Sequence, residues 1–433
     1  MRHQVSALGR FALAGLFATV PRLTVAINMH GLEHDARAPR TFYAITHKRD
    51  LDAFAPLPRL LAHRGRSAFA RDVHFAMRAD GFQVGFLSRV VRRPVWFSHA
   101  LRPLNVGAVL RGVGVHPLES LHLRPAETWL REALLVEGDI SVGELLAAET
   151  IHMLASGTHQ SVDALAVSPA SSLLAWRYFP LLQAETGPEF FASAARRRAE
   201  LRVLATAKAQ LADCVDWLRM GGSLYSSPEG RLSPDGRLSP FRAGLTRILR
   251  AAPSDTRAQP IAIVYDYMTV GRTRMWIDLA PAIEDGALLT RTELERRLRA
   301  AWLGVARFTC TQLASSLLVT RAGQGQRTIT IGELEAGVAA WARELFATGR
   351  QIDPVLLTEE GVHRRVADYL TYADLHRITR QYGSSVVLVA GEPAVLNVTP
   401  GDVGYRYAPL TYAANEACEM VASLPARDDM LAM

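Results

Sequence analysis

The chain has 433 residues, 49% of them hydrophobic and 21% charged, with a formal net charge of +7. That length and apolar share allow one elaborated domain or a few, each with a sizeable core, and exclude wholesale disorder. Lys48 and Lys208 are the only lysines, so the positive charge is almost all arginine; Cys214, Cys310 and Cys418 lie far apart and form neither a CxxC pair nor a disulfide framework. The arginine excess reads either as Arg-rich coding or as a basic face for anionic lipid or phosphate. The cysteines read as small packed hydrophobes in a reducing compartment.

In chain order, Arg2 and Arg10 precede the apolar run FALAGLFATV at residues 11–20. A membrane-spanning helix needs about twenty such residues. Residues 1–22 therefore read as an amphipathic segment lying on a membrane surface or on the core, rather than as a signal peptide, because strand-like sequence follows at once from Leu23. LTVAINMHG and TFYAIT read as strands. HKRDLDAF closes the second and leads into a helical stretch; RPVWFS then reads as a strand, and PLNVGAVLRGVGVHPL as a short helix, a turn and a strand.

From about residue 126 to 202 the strand signals fade, and Arg-rich segments such as EFFASAARRRAELR predict a helical insertion. Over residues 200–220 Leu204, Leu211, Val215 and Leu218 recur at helical spacing, and Gly221-Gly222 reads as the helix stop. SLYSS reads as a strand, AGLTRILR as a helix, and QPIAIVYDYMTV as a buried strand pairing with TRMWIDLAP across a Gly-Arg turn. After about residue 290, TELERRLRAAW and TIGELEAGVAAWARELF are helical, the latter with a capping box at Thr330 and Glu333, and SSVVLVAG is one more strand. The expected organisation is an α/β fold with a mixed central sheet flanked by helices. A domain over residues 23–290 carries the insertion at about 126–202, and a mainly helical region covers 291–433.

Two stretches carry chemistry. His47 closes a strand, and Asp52 follows in an H-x4-D spacing; a turn between them lets the carboxylate orient the imidazole and leaves the other ring nitrogen as a base. The spacing alone is not specific, because His30/Asp35 and His363/Asp368 repeat it. The second stretch is SPEGRLSPDGRLSPFRAG at residues 227–244. Its glycines permit tight turns, its arginines can meet a phosphate in bidentate fashion, and the helix that follows offers free N–H groups. Taken by itself it also reads as a polar turn between strand and helix.

H-x4-D behind a strand, then P-E-G-x-x-S-x-D-G-x-L-x-P-F-x-x-G ahead of a helix, then the Pro-led strand PIAIVY, together resemble the glycerolipid acyltransferase superfamily, typified by lysophosphatidic acid acyltransferases. The resemblance covers roughly residues 20–120 and 205–280. It implies O-acyl transfer from an acyl thioester, acyl-CoA or acyl carrier protein, to a hydroxyl of a glycerol phosphate or lysophospholipid. In that scheme His47 is the general base, Asp52 orients it, and Glu229, Gly230, Arg231 and Arg237 bind the acceptor. It implies no metal, no cofactor, no acyl-enzyme and no nucleic acid, with a place on the cytoplasmic, inner face of a membrane.

The chain departs from the family pattern at three points. Thr46 stands where the family has Asn, and Leu232 where the acceptor block has Arg. Glu119-Ser120 follow VGVHPL where a second phosphate-binding arginine is expected, and the next arginine is Arg124. The displaced arginines raise an alternative, the same chemistry on a phosphate-free acceptor such as an amino lipid, a sugar or a natural product. A non-catalytic membrane- or nucleic-acid-binding relative is the third reading, raised by ARRRAELR and LERRLRAAW. Neither stretch interleaves the aromatic residues of a base-stacking platform.

Overall fold

Runs rich in β-branched and aromatic residues become strands here. The computed structural model describes residues 25–35, 38–49, 52, 56, 60, 63, 73–83, 86, 95–101, 103–112, 114–119, 124–230, 232–389, 395–396 and 406–423. Its strands include β1 (Val25–His30), β2 (Thr41–Ile45), β3 (Val73–Arg78), β4 (Val115–Leu118), β5 (Arg124–Pro125), β6 (Glu185–Thr186), β7 (Ser223–Ser226), β8 (Arg257–Asp266), β9 (Thr273–Leu279), β10 (Thr328–Thr330), β11 (Thr379–Tyr382) and β12 (Ser385–Leu388). The chain forms two compact units, one built on Phe75–Asp216 and the other on Ser6–His74 with Trp217–Met433.

The second unit holds the sheet order β1-β9-β8-β2-β7. Each of these strands runs parallel to at least one neighbour, while β8 and β9 are antiparallel to each other, with Ile263 opposite Ile277, so the sheet is mixed. β2 is buried at every position and β8 at every position but its first, which is why both read as continuous apolar runs rather than as alternation. Helix Arg291–Val305 lays Leu294, Leu298 and Trp302 into the core, and Trp302 Nε1 donates to the Ala44 carbonyl at 3.1 Å. Helix Ala243–Ala251 buries Leu245, Ile248 and Leu249.

The region after residue 290 is not helical throughout. Helices Cys310–Gly323, Ile331–Ala347, Glu359–Leu375 and Pro409–Ala422 accompany a small antiparallel sheet in the order β10-β12-β11. The Thr330/Glu333 capping box forms as its spacing requires.

In the first unit β3 and β4 pair in parallel, with Phe75 opposite Val115. Helices Ala126–Glu137, Ala148–Thr158 and most of Ser193–Arg219 enclose Trp129, Leu130, Leu154, Leu173, Tyr178 and Phe190.

Three sequence expectations need correction. Residues 93–98 were expected as a strand, but Val95–Leu101 is a helix. Its apolar run has no alternation for a sheet to use. β3 lies inside a stretch expected to be helical; His74 and Arg78 interrupt its apolar pattern and mask the strand. In helix Ser193–Arg219 Val215 and Leu218 are buried as expected and Leu211 is half-buried, but Leu204 is exposed and its neighbour Val203 is buried in its place, with Cys214 beside Val215. The helix does end on the double glycine, with Gly221 at φ 89° and its N–H donating to the Leu218 carbonyl. Cys214 and Cys310 are buried, as expected of packed hydrophobes, while Cys418 is exposed. Residues 1–22 lie outside the described residues, and no described helix is long and apolar enough to cross a membrane.

Candidate active site

Beyond β2 the pairing with β8 continues through a side chain. The Thr46 N–H donates to the Ile261 carbonyl at 3.1 Å, and Thr46 Oγ1 accepts the Ile263 N–H at 2.8 Å. The chain then turns at the carboxyl end of the sheet, where open α/β sheets place their ligands. His47 opens this turn. Its Nδ1 lies 3.6 Å from Asp52 Oδ2, at ion-pair distance and just beyond a hydrogen bond.

Asp52 is fully buried and held on every side. Its Oδ2 accepts the N–H groups of Lys48 and, at 2.7 Å, of Arg49, which closes the turn. Its Oδ1 accepts the Tyr265 hydroxyl, and its backbone carbonyl accepts the Tyr225 hydroxyl at 2.9 Å. Burial, and then the Asp52 charge, hold the Tyr225 phenol protonated far above its ordinary range. A carboxylate fixed in this way keeps one orientation toward the imidazole.

The 227–244 loop is tied directly to this turn. Glu229 is fully buried, and its two oxygens are divided between two backbone donors, His47 at 2.9 Å and Ser239 at 2.6 Å. Burial pushes the Glu229 carboxyl above its ordinary value, while Lys48 and the two N–H donors pull it back. Both oxygens must accept, so the carboxylate form fits this geometry. The Ser233 N–H donates to the His47 carbonyl at 3.0 Å, which adds a second link. Gly230 sits at φ 64° and Gly236 at φ 92°, conformations that glycine adopts without strain.

Of the predicted site residues, the structure brings together His47, Asp52, Glu229 and Gly230. Arg231 lies outside the described residues. Arg237 is exposed, with its guanidinium 3.5 Å from Asn415 Oδ1. Leu232, at the position of the family arginine, is buried. Arg124 faces Glu119 at 3.2 Å, pairs with Glu132 and lies 4.3 Å from the centre of the Trp129 ring, which commits it to structure. The repeated spacings go elsewhere: His363 faces Glu335 at 2.8 Å, Asp368 faces Arg274 at 3.6 Å, and Asp35 accepts from the Tyr43 hydroxyl.

Sequence reasoning missed the tyrosines that hold Asp52 and the helix Pro409–Ala422. The available signal was Tyr265, near the end of a buried strand and just before Asp266, in IVYD; nothing local marked the helix. Among the described residues no group of three or more His, Cys, Asp or Glu side chains is arranged to hold a metal.

No protein-family model and no curated protein matches the sequence. Among solved structures, the 1-acyl-sn-glycerophosphate (LPA) acyltransferase PlsC from Thermotoga maritima is similar over 69% of this chain and 80% of its own, at 10% identity and a TM-score of 0.33.

Proposed function

We propose that this site transfers an acyl group from a thioester to a hydroxyl acceptor, with His47 as general base. The observation that carries the reading is the His47–Asp52 pair, with Asp52 buried and immobilised and His47 bound through its backbone to Glu229 of the loop. His47 Nε2 takes the acceptor O–H proton as the oxygen attacks the thioester carbonyl carbon. The tetrahedral intermediate collapses, the C–S bond breaks, and the imidazolium returns the proton to the departing sulfur, which leaves as the thiol and restores neutral His47. Asp52 supports that imidazolium without taking its proton. The donor in this reading is acyl-CoA or acyl carrier protein, the acceptor a glycerol phosphate or lysophospholipid at a membrane surface, and the acceptor loop supplies Glu229, Gly230, Arg231 and Arg237.

A second reading has a specific observation in its favour. Leu232 is buried and Arg124 is paired with two carboxylates, so neither of these two positions presents a guanidinium to a phosphate. That supports the same chemistry on a phosphate-free acceptor, such as an amino lipid, a sugar or a natural product.

The test is thiol release from palmitoyl-CoA by the purified chain, with and without lysophosphatidic acid or glycerol 3-phosphate, beside His47→Ala. Acceptor-stimulated release lost in His47→Ala supports transfer to a phosphate-bearing acceptor. Release that depends on His47 but not on these acceptors supports the second reading. Equal release by folded His47→Ala sinks both.

A further inference from the structure

Lys48 is one of only two lysines in the chain, and its side chain is buried. A buried ammonium is costly unless its three donors are met. Here Nζ donates to the Gly236 carbonyl at 2.6 Å and lies 3.5 Å from Glu416 Oε1. Its charge also acts on Glu229. Thus one side chain, next in sequence to His47, joins three segments: the H-x4-D turn, the 227–244 loop and helix Pro409–Ala422.

The helix is bound to the loop at several further points. Asn415 Nδ2 donates to the Asp235 carbonyl at 3.0 Å, and Glu419 Oε2 accepts the Leu238 N–H at 2.6 Å. Glu416 is itself fixed, because Gln312 Nε2 donates to its second oxygen at 2.7 Å. Glu416 is therefore a rigid counter-charge, and Lys48 is the strut between it and the loop.

We propose that Lys48 is a positioning residue that sets the loop over His47, with Glu416 on helix Pro409–Ala422 as its anchor. The kinetic part of this proposal rests on the acyl-transfer reading; the part concerning loop order does not.

The experiment uses the full chain and three variants, Lys48→Met, Lys48→Arg and Glu416→Gln. Hydrogen exchange is followed in peptides covering residues 232–240, with β8 peptides as the internal reference. Loss of a charge-assisted buried bond predicts exchange about tenfold or more faster at Ser233 and Ser239 in Lys48→Met, with β8 unchanged. Lys48→Arg restores most of the protection. Glu416→Gln loosens the same peptides, and in a Lys48→Met background adds nothing, as coupled partners require. In thiol release, Lys48→Met raises the acceptor KM and leaves kcat within about threefold.

Folded Lys48→Met with wild-type exchange in the loop overturns the proposal, as does full additivity with Glu416→Gln. If Lys48→Met does not fold, unchanged loop exchange in Glu416→Gln overturns it instead. A loop that loosens in a chain without acyl-transfer activity supports the positioning role and removes the acyl-transfer reading.

Discussion

Glu229 holds His47 by the backbone: its Oε1 accepts the His47 N–H at 2.9 Å, while its Oε2 accepts the Ser239 N–H at 2.6 Å. One buried carboxylate therefore fixes both the residue that bears the imidazole and the far side of the loop proposed to face the acceptor.

Glu229→Gln tests this relationship through two opposed pH trends. Burial lifts the carboxyl above its ordinary value of 4.5. A raised folded pKa means that the native state takes up the proton first as pH falls. Its stabilising contribution is full below the unfolded value and is lost as pH rises through the folded one. Wild type should thus gain stability relative to Glu229→Gln as pH falls from neutrality toward the ordinary carboxyl value of 4.5, as read from urea midpoints. Activity should move the other way, because protonation removes one of the two accepted N–H bonds. A stability difference that does not change with pH would count against the assignment.

Asp52→Asn should keep the fold and lose rate. Asn offers one acceptor oxygen where Asp52 supplies two, so either Tyr265 or the Lys48 and Arg49 N–H groups lose a partner. The expected loss in kcat/KM is about 10³-fold or more, near that of His47→Ala, with a stability loss of about 1–3 kcal/mol. Additive losses in the double variant would show that the two side chains do not act as a unit.

Gly236→Ala should be among the most damaging small substitutions in the chain. At φ 92° its Cβ would meet the Tyr412 carbonyl oxygen at 2.1 Å, an atom of the helix backbone. A loss of about 3 kcal/mol or more is expected. Gly271→Ala, at φ 83° with nothing within 4 Å, has only the backbone strain and should cost about 1–2 kcal/mol. Similar melting temperatures for the two variants would refute the close approach.

Leu232→Arg would not restore a phosphate grip. The position is buried, so an unpaired guanidinium there should cost about 4 kcal/mol or unfold the loop, whereas Leu232→Met should cost less than about 1.5 kcal/mol. Thermal melts of the two variants check this. A folded, more active Leu232→Arg would show that the side chain can turn outward.

Much of this site was legible in the sequence because it is local. His47 and Asp52 lie within one turn, and Glu229-Gly230 follow a readable strand, so short-range signals placed them. Position could be read where contact could not: three H-x4-D spacings look alike on paper, and tertiary partners separate them, Glu335 drawing His363 away and Arg274 drawing Asp368. Tyr225, Tyr265 and Glu416 reach the site only through strand pairing and helix docking, which leave no trace in a window of a few residues. β3 stayed hidden for the same reason, since its polar positions are tolerated by neighbours and not by its own pattern.

Arg49 lies between two aromatic rings, Tyr267 and Tyr412, each centred 5.3 Å from its guanidinium carbon. The first of these arrives with β8 and the second only with the last described helix. On a ribosome the turn bearing His47 thus lacks this lining until helix Pro409–Ala422 has emerged, so assembly of the site waits on contacts of very high contact order. A nascent chain stalled before Tyr412 would hold its base beside a guanidinium that lacks this ring, and the site would mature only once Tyr412 had docked.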